Sequence, residues 1–261
     1  MVSFQLNGVG VDVADDGGSL LDALRDRLGI RSAKDGCSPQ GQCGCCTVWV
    51  DGAPRVACVT PVTRAAGREV TTVEGLDDAD GWAAAFCAAG ASQCGFCTPG
   101  IIMRLAALPP ERQQQPAEVE RALLAHLCRC TGWRSIVTSC TERATLAAAD
   151  VGARDPARAK RRARIEGGVA QRVDAAVALG AGGFADDLAP ADALVAMRAD
   201  DGSWAVGENT VEARRLAGKV PGRRTSAPVS WPIELPSAGP AGWARTLQTT
   251  WVEPAYLEPD A

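Results

Sequence analysis

Apolar and polar residues alternate at the start of the chain. The segments "VSFQL" and "VGVDV" place an apolar residue at every second position, which is the period of a β-strand with one buried face. Asn7 and Gly8 separate the two segments, and this pair is typical of tight hairpin turns because both residues tolerate positive φ. The pattern predicts an antiparallel hairpin.

The next pattern has the period of a helix. After Ser19, a residue suited to capping, leucines fall on one face of "LLDALRDRL", and Gly29 is placed to end the helix. A loop rich in glycine and cysteine follows. Further strands are predicted for "TVWV", for "RVACV" after a turn at Asp51-Gly52, and for "REVTTVEGL". Together these elements predict a mixed α+β domain over residues 1–76.

Residues 77–150 have the apolar spacing of helices. Thr98 and Pro99 precede "GIIMRLAAL", Pro116 opens "AEVERALLAHL", and "RSIVTSCTERATLAAA" completes the set. In the second of these segments the apolar positions at helical spacing are Val119, Leu123, Leu124 and Leu127. The pattern predicts a compact four-helix bundle with cysteines at the helix ends.

The remainder of the chain divides into two parts. Residues 151–168 concentrate arginine and lysine without interleaved aromatic residues, which favours a solvent-exposed basic linker over a nucleic-acid contact. Residues 169–261 form a loop-rich extension with short strands and too little continuous apolar sequence to cover a sheet on both faces. We expect residues 165–261 to be ordered only against a larger subunit, with Trp231, Trp243 and Trp251 as interface anchors.

Composition argues against several functional classes. The chain of 261 residues is 46% hydrophobic and 22% charged, and its net charge of −4 gives no positive field for nucleic acid. Residues 81–103 carry no charge, but their glycines and proline would leave backbone groups unpaired in lipid. "GAGGFA" matches a dinucleotide-binding pattern, yet Pro190 interrupts the helix that should follow. Without a recognisable signal peptide, the cytoplasm is the expected location.

The cysteines carry the chemical information. There are eleven, and their odd number and grouping as CxxC and CxC pairs favour metal ligation over disulfides. The first group comprises Cys37, Cys43, Cys45, Cys46 and Cys58. A glycine-rich loop and a nearby strand can deliver four thiolates to an iron–sulfur cluster, and the step from Cys43 to Cys46 matches plant-type spacing. Cys45 competes with Cys46 for the third position, and the strand that starts directly after Cys46 favours Cys46.

The second group comprises Cys94, Cys97, Cys128 and Cys130, a CxxC and a CxC. We expect helix N-termini at Thr98 and Thr131, which would place positive dipole ends beside an anionic cluster. The spacing leaves both an iron–sulfur cluster and a four-cysteine zinc site open. Cys87 and Cys140 are expected to be buried apolar residues. His126, the only histidine, is expected at a helix end or on the surface rather than as a ligand.

Three motifs carry a resemblance to a known family: "CSPQGQCGCCTVWVDG", "QCGFCTPGIIM" and "LCRCTGWRSI". They resemble the two-cluster iron–sulfur subunit of the xanthine dehydrogenase family of molybdenum hydroxylases, over residues 1–149. The resemblance implies a β-grasp, ferredoxin-like domain with one [2Fe-2S] cluster on Cys37, Cys43, Cys46 and Cys58. It implies a helical domain with a second cluster on Cys94, Cys97, Cys128 and Cys130. The extra residue between Cys37 and Cys43, and Cys45 itself, depart from the family pattern.

The resemblance also implies partners and a direction of electron flow. Gln93 and Cys130 would face the molybdopterin of a partner chain, and electrons would pass through the second and then the first cluster to FAD on another subunit or to another acceptor. The family reaction hydroxylates an aldehyde or an N-heterocycle, and no catalytic residue is expected in this chain.

Part of residues 169–261 resembles the beginning of the molybdopterin-binding subunit, most clearly in "RVDAAVALGAGGFADDLAPADALVA". Two functions are alternatives to an electron-transfer subunit. The first is a free-standing electron carrier, which would not need a segment that resembles a catalytic subunit. The second is a zinc-stabilised interaction module.

Overall fold

The computed structural model describes residues 1–37, 39–148, 156–165, 174–190 and 192–218. Within these ranges the chain forms a five-stranded sheet, a group of helices and an extension that packs back against the sheet domain. The expected anchors Trp231, Trp243 and Trp251 lie outside the described residues.

The sheet belongs to the first domain. Its strands are β1 (Val2–Leu6), β2 (Val9–Val13), β3 (Thr47–Val50), β4 (Ala53–Val56) and β5 (Glu69–Thr71), in the order β2-β1-β5-β3-β4. β1 and β5 run parallel, and the other neighbours are antiparallel. The predicted hairpin is confirmed, with Val2 paired to Val13 and a φ of 50° at Asn7.

The helix predicted after Ser19 is present but less regular than expected. Ser19 and Asp22 form a reciprocal capping box at the start of α1 (Leu20–Asp22). From Ala23 to Arg27 the chain then widens into a π-helical turn. Of the four leucines predicted on one face, Leu20, Leu21 and Leu24 are buried, and Leu28 is half-buried against the same core. The prediction of the apolar face is therefore confirmed, although the hydrogen bonding changes from α-helical to π-helical along the segment.

The helical domain follows the sheet. Its helices are α2 (Ala79–Ala89), α3 (Thr98–Ala106), α4 (Pro110–Gln113), α5 (Pro116–Ala122), α6 (Trp133–Thr141) and α7 (Arg143–Ala148). Phe86, Ile102 and Ile136 are fully buried in their common core. Apart from the exposed Gln93 and Cys94, the uncharged stretch 81–103 is buried or half-buried in the protein. A search of the described ranges found no helix with the length and apolar character of a membrane span.

α5 ends earlier than its apolar spacing predicts. It stops at Ala122, and Leu124 and Leu127 are 84% and 46% exposed rather than buried. The chain leaves the bundle here and crosses to the cysteine loop of the first domain, where the Leu127 N–H donates to the Cys43 carbonyl at 3.0 Å. The following helix, α6, begins at Trp133 and not at Thr131 as expected.

The two domains touch through α3 and β3. Trp49 Nε1 donates to the Met103 carbonyl at 2.7 Å. At Gly100, a β-carbon would lie 2.9 Å from the carbonyl carbon of Cys45. This close approach brings the loop of the first cysteine group against the helix that follows the CxxC.

The basic segment 151–168 contains α8 (Pro156–Ile165). The extension contains α9 (Ala175–Ala178), β6 (Val195–Arg198), β7 (Trp204–Gly207) and α10 (Thr210–Ala217). The basic segment predicted as a linker therefore includes a helix, whose Arg161, Arg162 and Arg164 are exposed. The "GAGGFA" segment leads into a 3-10 turn at Ala185–Asp187 and not into the helix of a dinucleotide fold.

The described part of the extension, which the sequence predicts to be ordered only against another subunit, also makes contacts within its own chain. β6 and β7 pair in antiparallel fashion and α10 packs on them. Arg214 of α10 then reaches Asp22 of α1 at 3.3 Å. The extension therefore packs against the first domain of its own chain.

Candidate metal centres

The first group of cysteines occupies the loop before β3 and the turn after β4. Cys43, Cys46 and Cys58 are buried, and Cys37 is half-buried. The Cys58 N–H donates to the Cys46 sulfur at 3.4 Å. The Cys37 thiol interacts with the sulfurs of both Cys43 and Cys58. The fold therefore brings together the four side chains predicted as ligands, although Cys58 lies twelve residues beyond Cys46.

The loop wraps closely around these sulfurs. A β-carbon at Gly36 would lie 3.0 Å from the Cys43 sulfur, and Gly41 and Gly44 have positive φ. The backbone N–H of Gln40 donates to the Cys37 sulfur at 3.2 Å, and that of Gly41 points to Cys58. N–H groups directed at sulfur stabilise an anionic iron–sulfur cluster, so the loop fits that group.

Cys45 occupies a different position from Cys46. Its thiol donates to the Cys43 carbonyl at 3.7 Å, and it interacts electrostatically with Cys97 of the second group. Cys46 instead lies beside Cys58. Cys45 is thus directed toward the boundary between the domains, and Cys46 toward the thiol with which it was predicted to share a cluster.

The thiols of the first group alter each other's acidity. The hydrogen bond from Cys45 lowers the pKa of Cys43 to about 6. The hydrogen bond from Cys46 lowers the pKa of Cys58, and the same bond raises the pKa of Cys46. Such proton sharing is expected where several thiol groups lie close together in a largely buried loop.

The second group joins the CxxC before α3 to the CxC before α6. The sulfurs of Cys94 and Cys130 lie 3.4 Å apart, and Cys97 lies beside Cys128. A hydrogen bond from Cys97 lowers the pKa of Cys128 to about 5. Thr131 Oγ1 lies 3.2 Å from the Cys128 sulfur. The positive φ of 80° at Gly95 allows the turn between the two cysteines of the CxxC.

The two groups differ in exposure. Cys94 and Cys130 are exposed, whereas three of the four predicted ligands in the first group are buried. Gln93, predicted to face a pterin, is also exposed and precedes Cys94 directly. Leu124, Leu127 and Trp133 add apolar surface to the chain segments around the CxC. The second group therefore lies at the molecular surface, next to exposed apolar side chains.

The arrangement of the thiols bears on the choice of metal. In the described ranges, no three histidine, cysteine, aspartate or glutamate side chains converge with the geometry of a single-ion site. Within each group, every thiol of the predicted ligand set lies beside at least one other. A [2Fe-2S] cluster binds two thiolates at each of its two irons, whereas zinc draws four ligands around one point. Each group supplies four thiols, the number that either site requires.

His126 does not lie on the surface as expected. It is 6% exposed, its Nε2 lies 3.3 Å from Thr47 Oγ1, and its ring packs on Gly44. Burial lowers its pKa to about 4, so the ring is neutral near pH 7. The sequence feature that fits this contact is Gly44, since its lack of a side chain leaves space for the His126 ring. Of the two remaining thiols, Cys140 is buried as expected and Cys87 is half-buried.

Two further buried groups were not singled out in the sequence. Lys34 and Arg25 are 1% and 5% exposed, and both form ion pairs with Asp187 of the extension. Their partner lies more than 150 residues away in the chain, so no local pattern could reveal the contact.

Comparisons with known proteins agree with this architecture. A family model described as a 2Fe-2S iron-sulfur cluster binding domain matches residues 4–63, and a [2Fe-2S] binding domain matches residues 72–141. The chain is 38% identical to the xanthine dehydrogenase iron-sulfur-binding subunit of Escherichia coli O157:H7, covering 51% of this chain and 87% of that protein. It is 37% identical to the nicotinate dehydrogenase small FeS subunit of Eubacterium barkeri, covering 52% of this chain and 88% of that protein.

A solved structure extends the comparison beyond the helical domain. The aldehyde oxidoreductase from Desulfovibrio gigas aligns with a TM-score of 0.59 and 30% identity, over 76% of this chain and 24% of that chain. Residues 1–148 are less than 60% of the 261 residues, so the aligned part must reach into the extension. This chain spans only about a quarter of that protein.

Two [2Fe-2S]-binding domains in tandem define an iron–sulfur protein of electron transfer. Its relatives place it more narrowly: the chain belongs to the xanthine dehydrogenase family of molybdenum hydroxylases, among their iron–sulfur subunits. It is thus a subunit of a molybdenum-dependent oxidoreductase and carries the electron-transfer function.

Proposed function

We propose that Cys37, Cys43, Cys46 and Cys58 hold the first [2Fe-2S] cluster, and that Cys94, Cys97, Cys128 and Cys130 hold the second. Each cluster, when bound, takes up and releases one electron at a time. The observation that carries the proposal is the assembly of these eight thiols into two groups by a fold whose backbone N–H groups point at sulfur. The proposed domains are residues 1–76 and 77–150, followed by the basic segment 151–168 and the extension 169–261.

The exposed second group is the proposed entry point for electrons. Cys94 and Cys130 are accessible from outside, and Gln93 lies beside them with its amide free to contact a cofactor. A molybdopterin-binding partner subunit that docks over this face would also cover Leu124 and Leu127, which are exposed in this chain. Gln93 and Cys130 are the residues proposed to lie nearest to the pterin.

The first cysteine group is the proposed exit point for electrons. Its half-buried Cys37 precedes the exposed Gln40 and Gln42, so this loop is the part of the group nearest to solvent. An acceptor such as FAD on another subunit would approach from this side. We propose an aldehyde or an N-heterocycle as the substrate class of the complete complex, and the cytoplasm as its compartment, because the eleven thiols suit a reducing environment.

The test is metal and cofactor analysis of the complex purified with its partners. The expected result is about four irons per chain, two distinct [2Fe-2S] signals in electron paramagnetic resonance, and molybdenum in the co-purifying subunit. Stoichiometric zinc without iron would overturn the proposed clusters. A chain that carries both clusters but elutes alone in gel filtration would support the free-standing carrier instead.

A further inference from the structure

The segment from residue 174 to residue 188, here called the interdomain strap, crosses the boundary between the two cluster-binding domains. On the helical side, Gly182 lies so close to Cys94 that a β-carbon would be 2.9 Å from the Cys94 carbonyl oxygen. On the other side, a β-carbon at Gly180 would lie 2.7 Å from the Cα of Ser32. The strap therefore touches the chain near both cysteine groups.

Buried charges anchor the strap. The Asp187 carboxylate, with a side chain only 7% exposed, accepts from Arg25 at 3.0 Å and from the Lys34 ammonium group. Lys34 Nζ also donates to the Gly180 carbonyl at 3.0 Å. Burial lowers the pKa of Lys34, and the hydrogen bond to Asp187 opposes that change. Because an unpaired charge is costly to bury, Asp187 compensates cations that belong to the first domain.

This charge group lies close to the first cysteine group. Lys34 precedes Cys37 by three residues, and its backbone N–H donates to the Cys45 carbonyl at 3.2 Å. Its ammonium group lies 5.6 Å from the centre of the Phe184 ring, which packs edge-on against Phe96 with ring centres 4.9 Å apart.

Phe96 completes the connection to the first cysteine group. Its ring edge and the Cys43 sulfur would both lie 3.0 Å from a β-carbon at Gly36. The rings of Phe184 and Phe96 therefore link the Lys34 ammonium group to the surroundings of the Cys43 sulfur. Lys34 is 1% exposed and the Asp187 side chain 7% exposed, so solvent screens their charges less than it screens charges on the surface.

We propose that the Lys34–Asp187 ion pair sets the reduction potential of the first cluster, with Lys34 raising it and the carboxylate of the interdomain strap lowering it. A reduced cluster carries one more negative charge than an oxidised one, so a nearby cation favours reduction and a nearby anion opposes it. Burial and charge around a cluster are established determinants of its potential. The inference rests on the proposed ligation of the first cluster by Cys37, Cys43, Cys46 and Cys58.

The experiment compares Lys34→Met and Asp187→Asn in the complete chain by redox titration, following each cluster by its electron paramagnetic resonance signal. Asp187→Asn should raise the potential of the first cluster, and Lys34→Met should lower it. We expect each to change the ratio of reduced to oxidised cluster about tenfold at a fixed potential, or about 59 mV for a one-electron couple. The second cluster should shift less, and the double variant should lie between the two single variants.

Controls separate charge from structure. Lys34→Arg keeps the charge and should leave the potential nearly unchanged. Asp51→Asn and Arg68→Met remove the charges of an exposed pair, 3.6 Å apart in the same domain, and should not shift it. If Lys34→Met does not assemble the cluster, Arg25→Met is the replacement test. It removes the other cation that pairs with Asp187, and it should lower the reduction potential of the first cluster.

Shifts of the same sign in the Lys34 and Asp187 variants, or no shift, would overturn the inference. Absence of the first cluster from the unmodified protein would instead overturn the proposed ligation, so the two failures are distinguishable.

Discussion

At the scale of single residues, the two adjacent cysteines after Gly44 have separate environments. Cys46 lies beside Cys58, and Cys45 lies beside Cys43 and toward Cys97. Both are buried to the same degree, so exposure alone does not distinguish them. The distinction comes from direction, because Cys45 and Cys46 are the two central residues of a turn that the Thr47 N–H closes on the Gly44 carbonyl at 3.1 Å.

The assignment of Cys46 can be tested by a pair of serine substitutions. Cys46→Ser should remove the electron paramagnetic resonance signal of the first cluster, because it deletes a ligand. Cys45→Ser should keep both signals, because the position next to Cys43 needs only a small side chain. The opposite pattern would show that Cys45 is the ligand.

Gly44 permits a contact that any other residue would prevent. Its φ is 71°, and a β-carbon there would overlap the ring of His126. Gly44→Ala should lower the melting temperature more than Gly52→Ala, which also has positive φ but open space around it. We expect a loss of about 1–2 kcal/mol in the free energy of unfolding from the backbone strain alone, and of about 2–5 kcal/mol when the overlap is added.

The contribution of the histidine ring can be isolated by a double-mutant cycle. In a His126→Ala background, Gly44→Ala should cost no more than Gly52→Ala, because the overlapping ring has been removed. Thermal unfolding followed by circular dichroism measures each difference. Equal losses for Gly44→Ala with and without the ring would contradict the proposed contact.

At the scale of elements, the start of α1 depends on one side chain. Ser19 Oγ accepts from the Asp22 N–H at 3.1 Å, and the Asp22 carboxylate accepts from the Ser19 N–H at 2.9 Å. Ser19→Ala should lower the free energy of unfolding by about 1 kcal/mol, since it removes half of the capping box. Ser19→Thr keeps the hydroxyl and should lower the free energy of unfolding much less. Urea denaturation of the three proteins gives the comparison, and equal stabilities would contradict the role of the cap.

The elements that could be predicted from sequence are those with local causes. The Asn7-Gly8 hairpin and the Ser19 cap depend on neighbouring residues, and the structure has both. The early end of α5 could not be predicted from its leucines. The chain beyond this end makes a hydrogen bond from Leu127 to Cys43, and these residues are too far apart in the chain for a local pattern to reveal the contact.

The same reasoning applies to the candidate site. Cysteine spacing separated the two groups, because CxxC and CxC motifs are local signals, and the resemblance to the family implied which eight thiols are the ligands. The buried position of His126 and the pairing of Lys34 with Asp187 depend on packing between distant segments. Only the assembled fold reveals these contacts.

At the scale of the whole molecule, the second cysteine group is more exposed than the first. The proposed electron flow runs from the exposed group to the buried one. Gln93 lies at the exposed end. Gln93→Ala should leave both clusters assembled, since an amide is not a ligand, and should slow the reduction of the clusters by substrate in the complete complex. Stopped-flow absorbance measures the rate, and Gln114→Ala, an exposed glutamine after α4, is the control. An unchanged rate at full molybdenum content would contradict the contact.

The parallel pairing of β1 with β5 also bears on the order in which the protein is made. β1 pairs with residues 69 and 70, so the sheet closes only after these residues have left the ribosome. By then Cys37, Cys43, Cys46 and Cys58 have all been synthesised. Asp187 emerges more than a hundred residues later, so during this interval Lys34 has no partner from the strap. Translation thus leaves a period in which the first site has its full set of thiols while the strap that will later cover its neighbourhood does not yet exist.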